Sequence, residues 1–388
     1  MADFLFKIFI KDYENTSDEH VRVKYGILGG AVGIFLNIIL SALKIFAGII
    51  SASVSVTADA LNNLSDALSS VITLIGFKMS GKPADKEHPF GHGRIEYISA
   101  LFVSIAILLM GAELVRTSFE KIFSYDAIVY TPISVFVLVI SILVKLWMFL
   151  FNKRIGVKIA SQSMAATAKD SLSDSAATFA VLIGVIVFKL TGYTIDGYIG
   201  LVVAGFIFFT GYQTIRDSLA PLLGQAPSAE LVDEITDTVM AHEGILGMHD
   251  LIIHNYGPMR FMLSLHAEVS AKGDVLKLHD TIDLIERELK ERFKCDAVIH
   301  MDPIETDNEA INRTKEAVVR IIEQINPQFT MHDFRMVSGH THTNLIFDLV
   351  VPYDCKMSDK ELKRLVQKKV TEANPEYYAV INIDKNYV

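Results

Sequence analysis

Apolar residues gather into long runs over the first 220 positions, then give way to short segments of mixed periodicity. Six runs, near 24–50, 54–80, 94–120, 131–152, 163–190 and 195–220, are long enough as helices to cross a hydrocarbon layer of about 30 Å. The first, fourth and sixth are apolar almost throughout. The second and fifth carry polar and ionisable residues at helical spacing. Such residues are costly at membrane depth and usually face a cavity. Ahead of the first run, Phe4, Leu5, Phe6, Ile8, Phe9 and Ile10 surround Lys7 and Lys11. This pattern predicts an amphipathic segment, residues 1–20, at the membrane surface.

Past residue 220 the pattern predicts a helix over 228–242, strands near 249–255 and 260–269, a helix over 274–293 and a strand at 297–301. Helix–strand–strand–helix–strand is the order of a small ferredoxin-like α+β domain. The order then recurs. Met248-His249-Asp250 is echoed by Met331-His332-Asp333, Leu263 to Val269 by Leu345 to Val351, and Val298 to Asp302 by Val380 to Asp384. The predicted architecture is a six-helix membrane domain (21–223) followed by two ferredoxin-like domains in tandem (224–305 and 310–388). An acidic, proline-containing junction at 303–310 joins the two soluble domains.

Composition sharpens this division. The chain is 51% hydrophobic with a mean hydropathy of +0.35, too apolar for an ordinary soluble protein of 388 residues. From Pro221 onward, 28 acidic residues oppose 18 basic ones, a net of −10, which leaves +1 for the first 220 residues. An acidic soluble half excludes a nucleic-acid partner, whose phosphates need Lys and Arg, and suits the gathering of cations. Lys78, Lys82, Lys86 and Arg94 bracket the second loop and Lys153, Arg154 and Lys158 fill the fourth, whereas the opposite loops are poor in basic residues. The positive-inside rule then places both termini and the soluble half in the cytoplasm of a multi-pass cell-membrane protein. Two cysteines, Cys295 and Cys355, fit a reducing compartment.

The chemistry lies in the two polar spans. Asn62 and Asp66 are spaced i, i+4 in the second, as are Asp170 and Asp174 in the fifth, so each pair shares a helix face. Packed together, the two faces would set one amide and three carboxylates around a single point. Three carboxylates cannot share a low-dielectric site unless protons or a metal ion offset their charge. Interhelical hydrogen bonding would account for Asn62 alone, but not for three aspartates in otherwise apolar helices.

These pairs, the loop Pro83-Ala84-Asp85-Lys86-Glu87-His88-Pro89-Phe90-Gly91-His92-Gly93 and the ending His300-Met301-Asp302-Pro303 resemble the cation diffusion facilitators over roughly residues 20–302. The resemblance implies a dimeric, proton-coupled exporter of divalent metal ions, with the ion as substrate and protons as counter-ion. It also implies a loop site at Asp85, His88 and His92, and a cytoplasmic site among His249, His266, His279, His300 and Asp302 at the interface of a homodimer. Zinc-transporting members include histidine in the membrane site. Here Asn62, Asp66, Asp170 and Asp174 offer only oxygen, which suits manganese better than zinc and resembles the manganese branch. In the second repeat His332 and Asp384 keep their places, Asp348 replaces His266, Asn382 replaces His300, and Glu361 falls near the His279 position. The alternatives are an exporter of zinc, iron or cadmium, and a metal sensor merely anchored in the membrane. A pure anchor has no use for three intramembrane aspartates. A membrane hydrolase lacks a nucleophile with a plausible base and a His-Glu-x-x-His motif, so the chain is not expected to be an enzyme.

Overall fold

The computed structural model describes residues 2–50, 54–123, 132–191, 193, 195–258, 260–339 and 341–386, with residues 2, 48, 50, 54–59, 61, 62, 134, 196 and 386 described by backbone alone. The chain divides into two units, Met1–Gln225 with Asn255–Arg260, and Ala226–His254 with Phe261–Val388. In the first, a short helix α1 (Ala2–Phe9) precedes six long ones: α2 (Glu19–Ile50), α3 (Val54–Ser80), α4 (Ile95–Phe123), α5 (Pro132–Lys158), α6 (Gln162–Thr191) and α7 (Asp196–Leu223). Among the described residues, five stretches are long and apolar enough to span a membrane: Glu19–Ala47, Ile95–Phe123, Val135–Lys158, Gln162–Thr191 and Gly197–Leu223. The remaining long helix, α3, is the polar second span.

The bundle is built from neighbouring pairs: α2 packs on α3, α4 on α7 and α5 on α6. Small residues let backbones approach where lipid supplies no hydrophobic drive. At Gly30 of α2, a methyl group would come within 2.8 Å of Leu74 Cβ on α3. Large apolar side chains such as Phe35, Phe46, Phe102, Leu109, Phe136, Leu143 and Phe209 point outward, as helices bathed in hydrocarbon require. The predicted amphipathic segment is α1. Its buried side sets the Phe6 ring 4.9 Å from that of Tyr25 and 5.7 Å from that of Phe151, while Phe4, Ile8 and Phe9 remain exposed. Lys153, Arg154 and Lys158, expected in a loop, lie on the last turns of α5 instead. Long basic side chains are good helix formers, and a helix C-terminus favours positive charge.

One buried ion pair ties the bundle together near the α5–α6 turn. Arg22 of α2 donates through Nη2 to Glu96 Oε1 of α4 at 2.8 Å and through Nε to the Ile159 carbonyl at 3.0 Å, and Ser161 Oγ donates to Glu96 Oε1 at 2.6 Å. Arg22 is 3% exposed and Glu96 fully buried.

The second unit holds two αββαβ repeats. The first comprises α8 (Ala229–Met240), β1 (Ile245–Asn255), β2 (Phe261–Ser270), α9 (Val275–Phe293) and β3 (Asp296–Ile304). The second comprises α10 (Glu309–Ile325), β4 (Thr330–Ser338), β5 (Thr343–Pro352), α11 (Asp359–Ala373) and β6 (Tyr377–Asn386). Each forms a three-stranded sheet, ordered β1-β2-β3 and β4-β5-β6, with its last two strands parallel. Strand alternation decides which residues are left for chemistry. Leu263, Leu265, Ala267 and Val269 of β2 are buried in the core with Ile235, Ile282, Ile285 and Leu289. Leu345, Phe347, Leu349 and Val351 of β5 are buried likewise with Val318, Ile322, Val366 and Val370. The intervening residues, including His266 and Glu268 on β2 and Asp348 on β5, therefore occupy the opposite sheet face.

Removing one partner of a buried ion pair leaves an uncompensated charge. Glu96→Ala is therefore expected to cost about 3 kcal/mol of stability, measured as earlier thermal unfolding of the detergent-solubilised protein, with Glu96→Gln intermediate because its amide still accepts hydrogen bonds.

Candidate metal centres

The polar spans face each other, with Thr73 Oγ1 of α3 and Thr167 Oγ1 of α6 2.8 Å apart. Asp66 lies seven residues before Thr73, and Asp174 seven residues after Thr167. In oppositely directed helices those equal offsets, about two turns each, bring both carboxylates to one depth. Asp66, Asp170 and Asp174 are 8%, 6% and 4% exposed, and Asp170 lies within electrostatic reach of the other two. The structure therefore gathers the three predicted aspartates. The Asn62 side chain lies outside the described residues.

Two lysines join them. Lys145 of α5, 2% exposed, donates from Nζ to Asp66 Oδ2 at 2.7 Å and to Asp174 Oδ2 at 2.6 Å. Lys44 of α2 donates to Asn63 Oδ1 at 3.1 Å and lies within electrostatic reach of Asp66. Both sit in spans that read as apolar. The available signal was a single ionisable residue in the 131–152 run, since such residues are rarely turned toward lipid. Asp174 Oδ1 is buried without a hydrogen-bond partner among the described residues, so one carboxylate oxygen at this depth is still unsatisfied. A cluster of this kind can hold a positive charge and exchange one cation for another.

Between α3 and α4, Asp85, His88 and His92 each offer a ligand atom within 4.8 Å of the others. Asp85 Oδ1 accepts the backbone N–H groups of His88 at 2.7 Å and Glu87 at 3.0 Å, which folds the loop around the carboxylate. The His88 amide, with that of Glu87, holds the Asp85 carboxyl below its ordinary range. His92 is buried, its Nδ1 is 3.2 Å from the Pro83 carbonyl, and its Nε2 is 3.4 Å from Asp85 Oδ2. When Nδ1–H donates to this carbonyl, Nε2 is left with its lone pair facing Asp85, the usual arrangement of a metal-binding imidazole.

In the first repeat, the register sets His266 opposite His300 and Glu268 opposite Asp302. Asp302 is the hub: Oδ2 lies 2.8 Å from His266 Nδ1 and 3.3 Å from His249 Nε2, and Oδ1 lies 3.2 Å from His300 Nε2. Burial opposes ionisation of Asp302, but the His266 hydrogen bond and the surrounding imidazoles hold its carboxyl below the usual range. His249, His266 and Asp302 form a compact ligand triad. His279 does not join it. On α9 it is exposed and its ring nitrogen is 3.6 Å from Asp283. The second repeat gathers His332, Asp348 and Asp384, where burial and the neighbouring Asp384 charge raise the Asp348 carboxyl above its ordinary range.

Residues 31–223 match the cation efflux transmembrane domain, and residues 227–304 match the cytoplasmic domain of cation efflux proteins. An uncharacterized transporter of Methanocaldococcus jannaschii is 30% identical over 270 residues, 69% of this chain and 95% of that protein. The chain belongs to the cation diffusion facilitator family. The manganese efflux system protein MneS of Bacillus subtilis is 29% identical over 289 residues, 74% of this chain and 99% of MneS. The cation-efflux pump FieF of Yersinia enterocolitica is 30% identical over 266 residues, 68% of this chain and 88% of FieF. This cation diffusion facilitator is thus a multi-pass membrane transporter of divalent cations, with a domain of the kind through which cation efflux proteins dimerise. Its second soluble repeat begins beyond residue 304, where the match to the cytoplasmic domain ends.

Lys145 compensates two buried carboxylates at once. Lys145→Met, similar in length but uncharged, is expected to destabilise the metal-free protein by about 3 kcal/mol, detected as a lowered unfolding midpoint in detergent. An unchanged midpoint contradicts the role given to this ammonium.

Proposed function

We propose that this cation diffusion facilitator exports a divalent metal ion, manganese in preference to zinc, from the cytoplasm across the cell membrane in exchange for protons. The carrying observation is the buried cluster of Asp66, Asp170 and Asp174, bridged by the Lys145 ammonium. Asn62 completes the ligand set of the transport site. An entering ion displaces Lys145 from between Asp66 and Asp174, and the four-carbon stem of the lysine lets its head withdraw. After closure and reopening to the outside, the ion leaves, and protons together with Lys145 restore charge balance during the return.

Oxygen-only donors support manganese, because carboxylate and amide oxygens suit hard, higher-coordinate ions whereas imidazole favours zinc. The likeness to a relative named as a manganese efflux protein points the same way. The distribution of basic residues supports an orientation with both termini in the cytoplasm. The first soluble repeat supports a homodimer, with His249, His266, His300 and Asp302 as its cytoplasmic metal ligands. Asp85, His88 and His92 form a further site on the α3–α4 loop.

The test is manganese and zinc uptake into proteoliposomes. Asp174→Ala is expected to abolish manganese transport, a loss of at least ~100-fold by analogy with removal of a group that neutralises charge at a site. Asn62→His is expected to shift preference toward zinc. Manganese movement at the original rate in Asp174→Ala overturns the site, and an unaltered protein that moves only zinc overturns the metal assignment. With an imposed proton gradient, transport should accelerate when protons flow against the metal; insensitivity to that gradient contradicts the exchange.

A further inference from the structure

The two soluble repeats meet beside His249, through Asp250, His332, Asp348 and Asp384, which the transport reading leaves unused. On the second repeat, β4 sets His332 opposite Asp348 on β5, and β6 adds Asp384 two positions along the ladder, opposite Val350 and on the same sheet face. His332 Nε2 lies 3.3 Å from Asp384 Oδ2. From the first repeat, Asp250 Oδ1 reaches to 3.7 Å of the same nitrogen. The His249 ring stacks on the His332 ring, with centroids 4.4 Å apart and planes inclined by 19°. His332, Asp348 and Asp384 present ligand atoms within 4.8 Å of one another, and so do His249, Asp250 and His332.

Local backbone accounts for the way Asp250 crosses between repeats. Asp250 and Asp333 stand at equivalent places, each directly after the echoed histidine, and both have φ of 52°. Aspartate tolerates this left-handed conformation better than most residues. In the second repeat Arg335 holds Asp333, its Nη2 2.8 Å from Oδ1. In the first repeat Asp250 instead turns toward the partner repeat's histidine. The duplicated kink therefore serves different ends in the two copies.

Two further observations point to a ligand. His332 buries Nδ1 without a hydrogen-bond partner among the described residues, and the buried His249 Nδ1 has only Glu268 Oε1 near it, at 3.5 Å. Buried polar atoms without partners are uncommon in folded proteins. The same residues line a cleft of ≈ 600 Å³ that also includes Met248, Met331 and His266, with space for an ion and the waters that complete its shell.

We propose that this seam is a divalent-cation site, built from His332, Asp348 and Asp384 of the second repeat and closed by Asp250 of the first. One imidazole among three carboxylates is an oxygen-rich donor set that suits manganese, in contrast to the imidazole-rich triad of His249, His266 and Asp302. An ion here joins the repeats within one chain, so docking of the second repeat follows the supply of cation. The site does not depend on the membrane cluster, and either can fail without the other.

Equilibrium dialysis of the purified full-length protein against manganese, with metal counted by mass spectrometry, tests this directly. Asp348→Asn/Asp384→Asn is expected to lose about one equivalent per chain, while Asp174→Ala and His266→Ala each keep that equivalent. Asp250→Asn, a partly exposed substitution that leaves the second repeat's ligands in place, is expected to weaken the seam site roughly tenfold. An unchanged manganese count in the double variant overturns the site. An unchanged affinity in Asp250→Asn overturns its closure by the first repeat.

Discussion

Negative charge buried between helices is the constraint on which this molecule turns. Asp66, Asp170 and Asp174 are nearly inaccessible to water, and carboxylates in such surroundings need positive charge or protons close by. The bundle meets that need with its own Lys145, held at hydrogen-bond distance from two of the three. The arrangement is stable yet replaceable. In the proposed transport cycle, this tethered ammonium yields the carboxylate oxygens to the entering ion. The helix pairs around Lys145 are joined further by the Arg22–Glu96 pair, which ties α2 to α4.

Much of this is legible in the sequence, for reasons that differ from residue to residue. Aspartates spaced i, i+4 in apolar runs announce themselves because few other roles tolerate carboxylates there. The tandem repeat is readable because its strands keep both their alternation and their histidine and aspartate positions. Lys145 was not readable as part of the site. A lone lysine in an apolar span can equally snorkel to the surface, and only the three-dimensional crossing of α5 with α3 and α6 decides. The same holds for Lys44. Basic residues assigned to the fourth loop belong to the end of α5, since charge pattern marks a membrane boundary better than it marks the end of a helix.

The soluble half shows how duplicated domains can keep a fold and diverge in the polar residues on one sheet face. Each repeat buries one sheet face against its helices and leaves polar residues on the other. In the first, that face carries an imidazole-rich set around Asp302. In the second, replacement of histidine by Asp348 and Asn382 makes the set richer in oxygen. The stacked His249 and His332 rings lie where the copies meet, and no pattern along the chain foretells that contact, because the residues are equivalent rather than complementary.

Calorimetric titration of manganese into the full-length protein, in buffers of different ionisation enthalpy, compares the unaltered chain with Asp66→Asn/Asp170→Asn/Asp174→Asn most directly. If the buried carboxylates bind the substrate by exchanging one cation for another, the unaltered protein shows a binding step with proton release that the triple variant lacks. Superimposable titrations, with the same manganese stoichiometry and the same proton release, would contradict the assignment of the intramembrane cluster as the transport site.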